Sequence, residues 1–298
     1  MLNIIKHYKF WFGVSGVFAL IGIIALIVYG LNFGIDFRGG TLTQVRFPDT
    51  VPAASEVRAV LIEAGFHDAV VQPAGEQSVI IRTGPQEKEE HDQLLNALID
   101  KYQGIQEEQF TSIGPVIGKE LRSKAVVQLI LVSLGIILYI AYAFRKVSKP
   151  VSSWKFGVAA IVALIHDLLI VVGVFALLGH FYNIEIDSLF VTALLTVLGF
   201  SVHDTIVVFD RIRENLRISA GLELSEIINN SINQTLVRSI NTSMTVIFVL
   251  LALILFGGET IRYFVLALLI GITAGTYSSI FIASPLLLVW HNWSRSRA

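Results

Sequence analysis

None of the 298 residues is cysteine, so disulfides, thiol nucleophiles and thiolate metal sites are excluded at once. Charge is scarce too. Asp, Glu, Lys and Arg make up 15% of the chain, against about 25% in soluble domains. The net charge of −1 offers no electrostatic footprint for nucleic acid. With 54% hydrophobic residues and a mean hydropathy of +0.70, the composition is that of a membrane protein.

In place of charge there are long apolar runs. A hydrocarbon core of ~30 Å takes about 20 helical residues to cross. Six segments are long enough: 10–31, 125–144, 156–178, 188–209, 240–258 and 263–290. Lys6 and Lys9 precede the first run as they would in a signal peptide. That run is too long for an h-region, and Val28-Tyr29-Gly30 is a poor cleavage site, so a retained anchor is expected. Basic residues cluster in Arg145-Lys146-Val147-Ser148-Lys149 with Lys155, at Arg211, Arg213 and Arg217, and at Arg295 and Arg297. The intervening short loops, 179–187 and 258–262, hold Arg262 as their only Lys or Arg. This asymmetry predicts cytoplasmic N- and C-termini. The expected organisation is an N-terminal segment with the first span (1–35), an extracytoplasmic domain (36–124) and a five-helix region (125–298) with a cytoplasmic loop at 210–237.

The polar stretch 36–124 reads as an α+β unit. Residues 41–47 alternate like a strand, and Pro52 opens a helix through Val57, Val60 and Leu61 that Gly65 stops. Strands are expected at 69–72 and 78–82, joined through Pro73-Ala74-Gly75-Glu76. A helix over 86–102 should carry Leu94, Leu95, Leu98, Ile99 and Tyr102 on one side, and a last strand covers 106–113. The order βαββαβ matches the ferredoxin-like arrangement, which by itself licenses no function. His67 and His91 have no metal-ligand spacing, and Glu87, Glu89, Glu90 and Asp92 complement a helix dipole. Binding by shape or sheet edge is expected of this domain, and catalysis is not.

The chemistry lies in the spans. Asp204 sits near the end of the fourth, where a carboxylate costs ~2.5–3.5 kcal/mol on insertion scales. Ser188, Thr192, Thr196, Gly199 and His203 share one helical face beside it. Arg238 enters the fifth span at comparable depth, and it either pairs with Asp204 or snorkels to the interface. His166 and Asp167 lie near the centre of the third span, as a structural hydrogen-bonding group or as part of a proton path. Gly271 and Gly275, in a G-x-x-x-G spacing, and Gly199 read as helix-packing positions. An Asp204 that alternates between an unpaired and an Arg238-paired arrangement would take up and release a proton. Each proton moving down the membrane potential supplies ~2.3 kcal/mol per 100 mV.

Several motifs resemble one family. Phe33-Gly34-Ile35-Asp36-Phe37-Arg38-Gly39-Gly40 is similar to a motif shared by the Sec translocase subunits SecD and SecF. Ile113-Gly114-Pro115-Val116-Ile117-Gly118-Lys119-Glu120-Leu121-Arg122 resembles their approach to the second span. Residues 198–215, above all His203-Asp204-Thr205-Ile206-Val207-Val208-Phe209-Asp210-Arg211-Ile212-Arg213-Glu214, resemble the SecF signature. Arg238-Ser239-Ile240-Asn241-Thr242-Ser243 and Phe256-Gly257-Gly258 continue it. The resemblance implies six transmembrane helices, half of a resistance–nodulation–division-type bundle, with one ferredoxin-like outer domain. It implies a bacterial inner-membrane accessory subunit of the SecYEG channel, not an enzyme and without cofactor or metal. It would act with a separate SecD chain, use the proton gradient after the motor SecA, and meet translocating unfolded polypeptide and YajC- or YidC-type accessory proteins. It places Asp204 and Arg238 in the proton pathway. Where relatives commonly have Asn before the aspartate, this chain has His203, an imidazole that could share the proton. Gly39 and Gly40 would supply backbone freedom, and Asp36 would cap or kink the junction.

Three other readings are weaker. A small-molecule exporter of the same superfamily would need two large outer domains. An intramembrane aspartyl protease would need Asp167 and Asp204 to share a proton at one depth. A scaffold that uses no protons leaves Asp204 unexplained.

Overall fold

The computed structural model describes residues 2–48, 50–75, 77–145, 152–218 and 221–295. Glu76, Lys146, Lys149 and Arg297, which the sequence places in a turn and in basic clusters, lie outside them. The chain divides into a helical unit (Met1–Asn32, Val127–Ile184, Leu189–Ala298) and a smaller unit (Phe33–Val126, Glu185–Ser188).

In chain order the elements are α1 (Tyr8–Val28), α2 (Ile35–Arg38), β1 (Gly40–Arg46), α3 (Ala54–Glu63), β2 (Val70–Ala74), β3 (Ser78–Thr83), α4 (Lys88–Lys101) and β4 (Gln106–Ile113). Then come α5 (Pro115–Ala143), α6 (Ser153–Tyr182), α7 (Ser188–Ile218), α8 (Leu224–Phe256), α9 (Glu259–Ser278), a π-helical turn (Ser279–Ala283) and α10 (Ser284–Arg295). Among the described residues six helical stretches are long and apolar enough to cross a membrane, as the sequence predicts.

Two boundaries differ from expectation. α5 starts at Pro115, ahead of its apolar run, because proline suits the first helical position, where no N–H is required. Among the described residues the stretch 210–237 is helical from 210 to 218 and again from 224, so α7 runs past the end of its apolar run. There the two helices pack through Ile212, Leu224, Ile228 and Ile232, and Asn215 Nδ2 donates to Ser231 Oγ at 2.8 Å. Hydropathy marks where a helix would enter a membrane, not where it ends.

The smaller unit has a four-stranded antiparallel sheet in the order β2-β3-β1-β4, the ferredoxin-like topology expected. α3 and α4 bury Val57, Leu61, Leu94 and Leu98 against Val45, Phe47, Val79 and Ile81. Ile99, expected on that face, is exposed. Pro73 lies within β2 and not in the turn, which an edge strand tolerates because it needs fewer N–H donors. The acidic start of α4 is a capping box: Glu87 and Glu90 satisfy each other's backbone N–H groups.

The shared-motif glycines have a steric reason. Gly39 has φ +81°, and a Cβ there would stand 2.8 Å from the Pro115 Cα. A Cβ on Gly118 would stand 2.8 Å from the Gly39 nitrogen. The two motifs are thus complementary halves of one backbone-to-backbone contact. Asp36 has a different task. Its Oδ2 accepts the Ser188 N–H at 2.7 Å, capping the first residue of α7 from 152 positions away. Gly34 N–H donates to the Ile186 carbonyl at 2.8 Å, which fixes the same segment.

Glu185 belongs to this unit and pairs with Arg82 at 3.1 Å. Burial pushes its carboxyl above the usual glutamate range, outweighing the opposing pull of Arg82 and Arg38. A carboxyl that holds its proton more tightly when folded stabilises the fold at low pH and loses that contribution as pH rises through the raised value. The smaller unit's stability should therefore decline across the acid range, and Glu185→Gln should flatten the slope. Hydrogen exchange of β1 and β3 amides at a series of pH values checks this.

Candidate functional site

The polar centre of the helical unit is built from three helices and the π turn. α6 contributes Asp167, which is 1% exposed. Its Oδ2 accepts the hydroxyls of Ser201 (α7) at 2.6 Å and Ser278 (α9) at 2.8 Å, and its Oδ1 meets His166 Nδ1 at 3.0 Å. Asp204, on the next turn of α7, is 7% exposed, and its Oδ2 accepts a short hydrogen bond from the Ser279 hydroxyl. Two consecutive serines thus serve two carboxylates on different helices.

The local sequence explains how. Pro285 has no N–H to return to the carbonyl one turn back, and the helix absorbs the defect as the π turn 279–283. Ser284 Oγ donates to the Ser279 carbonyl at 2.9 Å, which holds the widened turn. α9 approaches α7 closely enough to make these bonds because a Cβ on Gly275 would stand 2.9 Å from Ser201 Cβ, and one on Gly271 would collide with Val197. Both glycines of the G-x-x-x-G pair lie at this α7–α9 contact. Gly199 does not. It is exposed, and a Cβ there would meet nothing within 4 Å. Overpacking costs about 1–3 kcal/mol. Gly271→Ala should therefore lower the thermal midpoint in detergent, whereas Gly199→Ala should leave it nearly unmoved.

The structure brings His166 and Asp167 together, although adjacent helix positions diverge. It does not bring Asp204 to Arg238. Arg238 and His203 are both exposed, and among the described residues no ion pair joins Arg238 to Asp204. Asp204 points inward to α9, and Arg238 points outward from α8. Asp210 pairs with Arg213 at 2.6 Å, and Arg211 Nε donates to Gln234 at 2.6 Å, so both motif residues join the helical hairpin and not the buried centre. Sequence reasoning gave Ser201, Ser278 and Ser279 no part as carboxylate partners. The usable signal was Pro285 inside the last apolar run.

Residues 94–293 match the family described as protein export membrane protein SecD/SecF, C-terminal, and residues 24–49 match the SecD/SecF GG motif. The chain belongs to the SecD/SecF family. Within the matched motif Gly39 is the glycine that meets Pro115 and Gly118, and Gly40 lies against Thr83 and Ile35. Protein translocase subunit SecF of Thermobaculum terrenum is 50% identical, over 98% of this chain and 95% of the relative. The SecF subunit of Anaerolinea thermophila is 40% identical over 100% of this chain and 98% of its own. That of Pseudomonas aeruginosa is 37% identical over 94% and 88%. Among solved structures, SecDF of Thermus thermophilus, described as a translocon-associated membrane protein, superposes with a TM-score of 0.86 at 36% identity. This chain is covered to 98% and spans 39% of that SecDF chain. SecDF in its super-membrane-facing form superposes with a TM-score of 0.72 at 34% identity, over 99% of this chain and 39% of its own.

Proposed function

We propose that this SecD/SecF-family chain is the SecF-type accessory subunit of the Sec protein translocase in the bacterial inner membrane, with both termini cytoplasmic. With a separate SecD chain it uses the proton gradient to promote late stages of export through SecYEG, after SecA has acted. The observation that carries the proton reading is Asp204, a buried carboxylate in a membrane-length helix whose partner is a neutral hydroxyl. Such a group is costly in a membrane-length helix, and a proton site is a function that accounts for its being there.

Arg238 supports the same reading by where it stands. The α7–α8 hairpin pairs Asn215 with Ser231 and Arg211 with Gln234. Continued, that antiparallel register sets Arg238 about one helical turn from the level of Asp204, within reach of its long side chain after a modest rotation. The present arrangement is then the unpaired state, and an Asp204–Arg238 pair is the other. His203 stands on the exposed face as an additional proton acceptor, and His166 and Asp167 are the inner members of the path.

A SecD partner is supported by the exposed faces. Thr196, Gly199 and His203 on α7, and Arg238, Asn241 and Thr245 on α8, form exposed, largely polar stripes on membrane-length helices. A charged guanidinium is poorly matched to lipid and well matched to a second six-helix half. The test is reconstitution with a SecD-like chain, SecYEG and SecA. Late-stage translocation should rise when a proton gradient is imposed and fall to the unassisted level when an ionophore collapses it. Equal assistance with and without the gradient would leave only the scaffold.

A further inference from the structure

Ser278 and Ser279 each have one hydrogen and two acceptors. Ser278 Oγ lies 2.8 Å from Asp167 Oδ2 and 3.2 Å from the Gly275 carbonyl. Ser279 Oγ bonds Asp204 Oδ2 and lies 3.1 Å from the Thr276 carbonyl. While a carboxylate is ionised, the serine can donate to it. When the carboxyl takes up a proton, its own O–H can donate to the serine oxygen, and the serine hydrogen turns to its backbone carbonyl. One proton is gained, no covalent bond of the serine breaks, and no buried donor is stranded. A serine in this setting lets a buried carboxyl change charge without a desolvated orphan.

We propose that Ser278 and Ser279 are paired positioning residues that make proton occupancy at Asp204 depend on proton occupancy at Asp167. They are consecutive on one backbone at the mouth of the π turn, and each serves a carboxylate on a different helix. A shift of the turn toward one carboxylate changes the hydrogen bond to the other. This rests on the reading of Asp204 as a proton site and adds a second carboxylate to it. π turns recur at functional sites, and this one is held by Pro285 and by the bond from Ser284 to the Ser279 carbonyl.

Two further observations support the coupling. His166 Nε2 and Ser239 Oγ are buried and have no hydrogen-bond partner among the described residues, although buried polar atoms are nearly always satisfied. His166 stands at the Asp167 end, where its Nδ1 meets the carboxylate. Ser243 Oγ meets Thr276 Oγ1 at 2.6 Å in the antiparallel α8–α9 pair, so Ser239, one turn along, is level with Ser279 and Ile280. One unsatisfied polar group therefore lies beside Asp167, and another lies on α8 at the level of the π turn. The remaining ionisable neighbours are few. Tyr277 on α9 has its ring 6.3 Å from the His166 ring and its hydroxyl committed to the Trp11 carbonyl, with Ser15 of α1 donating to it. His203 on α7 and Arg238 on α8 are exposed.

Infrared titration of the full chain with its SecD-type partner tests this without recourse to translocation. The carboxylic-acid C=O band of Asp204 is assigned by its loss in Asp204→Asn. Asp167→Asn should displace the Asp204 midpoint by about threefold in proton affinity, and this shift should vanish in the Ser278→Ala/Ser279→Ala background. Ser279→Thr, which keeps the hydroxyl, should retain the coupling. If Asp167→Asn fails to assemble, Ser201→Ala perturbs Asp167 more gently and should give a smaller shift with the same dependence on the serines. An unmoved midpoint, or a shift that persists without the serines, overturns the proposal. Because the readout is proton occupancy, a failure of gradient-driven export would overturn the function proposed above and leave this coupling standing, and the reverse holds equally.

Discussion

Asp204→Asn should abolish gradient-dependent translocation while leaving folding, membrane insertion and association with a SecD-type partner intact. Asparagine is nearly isosteric with aspartate, and its carbonyl can still accept the Ser279 hydroxyl. What it loses is the change of charge. One proton supplies ~2.3 kcal/mol per 100 mV, about fiftyfold in a two-state equilibrium, so an uncoupled variant should lose a bias of that order. The measurement is the ratio of translocation with and without an imposed gradient. In the variant the ratio should fall to one, with the gradient-free rate preserved. A ratio equal to that of the unaltered protein would remove Asp204 from the proton path.

The second large effect is structural. Gly39 has φ +81° and ψ 158°, a region open essentially to glycine alone. Alanine there would be strained and would also press on Pro115, whose Cα stands 2.8 Å from the would-be methyl. Strain and overpacking together amount to roughly 2–6 kcal/mol, a large share of the ~5–15 kcal/mol that holds a domain. Gly39→Ala should therefore release β1 and β4 amides to hydrogen exchange in the intact chain. Gly118→Ala presses on the same contact from the other side and should do likewise. Gly114→Ala, with nothing within 4 Å of its would-be Cβ, is the near-neutral control.

The spans and the βαββαβ domain were legible because both are written in one-dimensional periods: run length for a membrane helix and alternation for a strand. Side-chain partners inside the bundle were not, and the hydroxyl residues show why. Thr196, Thr242 and Thr273 each return their hydroxyl to the carbonyl four residues back in their own helix. A serine that reaches across to another helix has the same sequence appearance. Ser279 and Thr273 cannot be told apart by spacing, since only the approach of α7 to α9 decides. Arg238 is the complementary case. Its depth followed from rise per residue, but its direction around α8 did not, and the expected partner of Asp204 faces away from it. Asp36 was expected to cap or kink its own junction and instead caps a helix 152 residues downstream, a contact that no local pattern encodes.

The π turn also has a meaning in terms of chain length. It contains one residue more than the α turn it replaces, so it behaves as a single-residue insertion tolerated in the middle of the last apolar stretch. Deleting one residue between Ser279 and Ala283 would rewind the segment toward α geometry. Everything before it would then turn by about 100° relative to α10, since each α-helical residue advances by that angle. The serines and α10 could then no longer both keep their present neighbours. In this chain one surplus residue sets how the serines stand relative to α10.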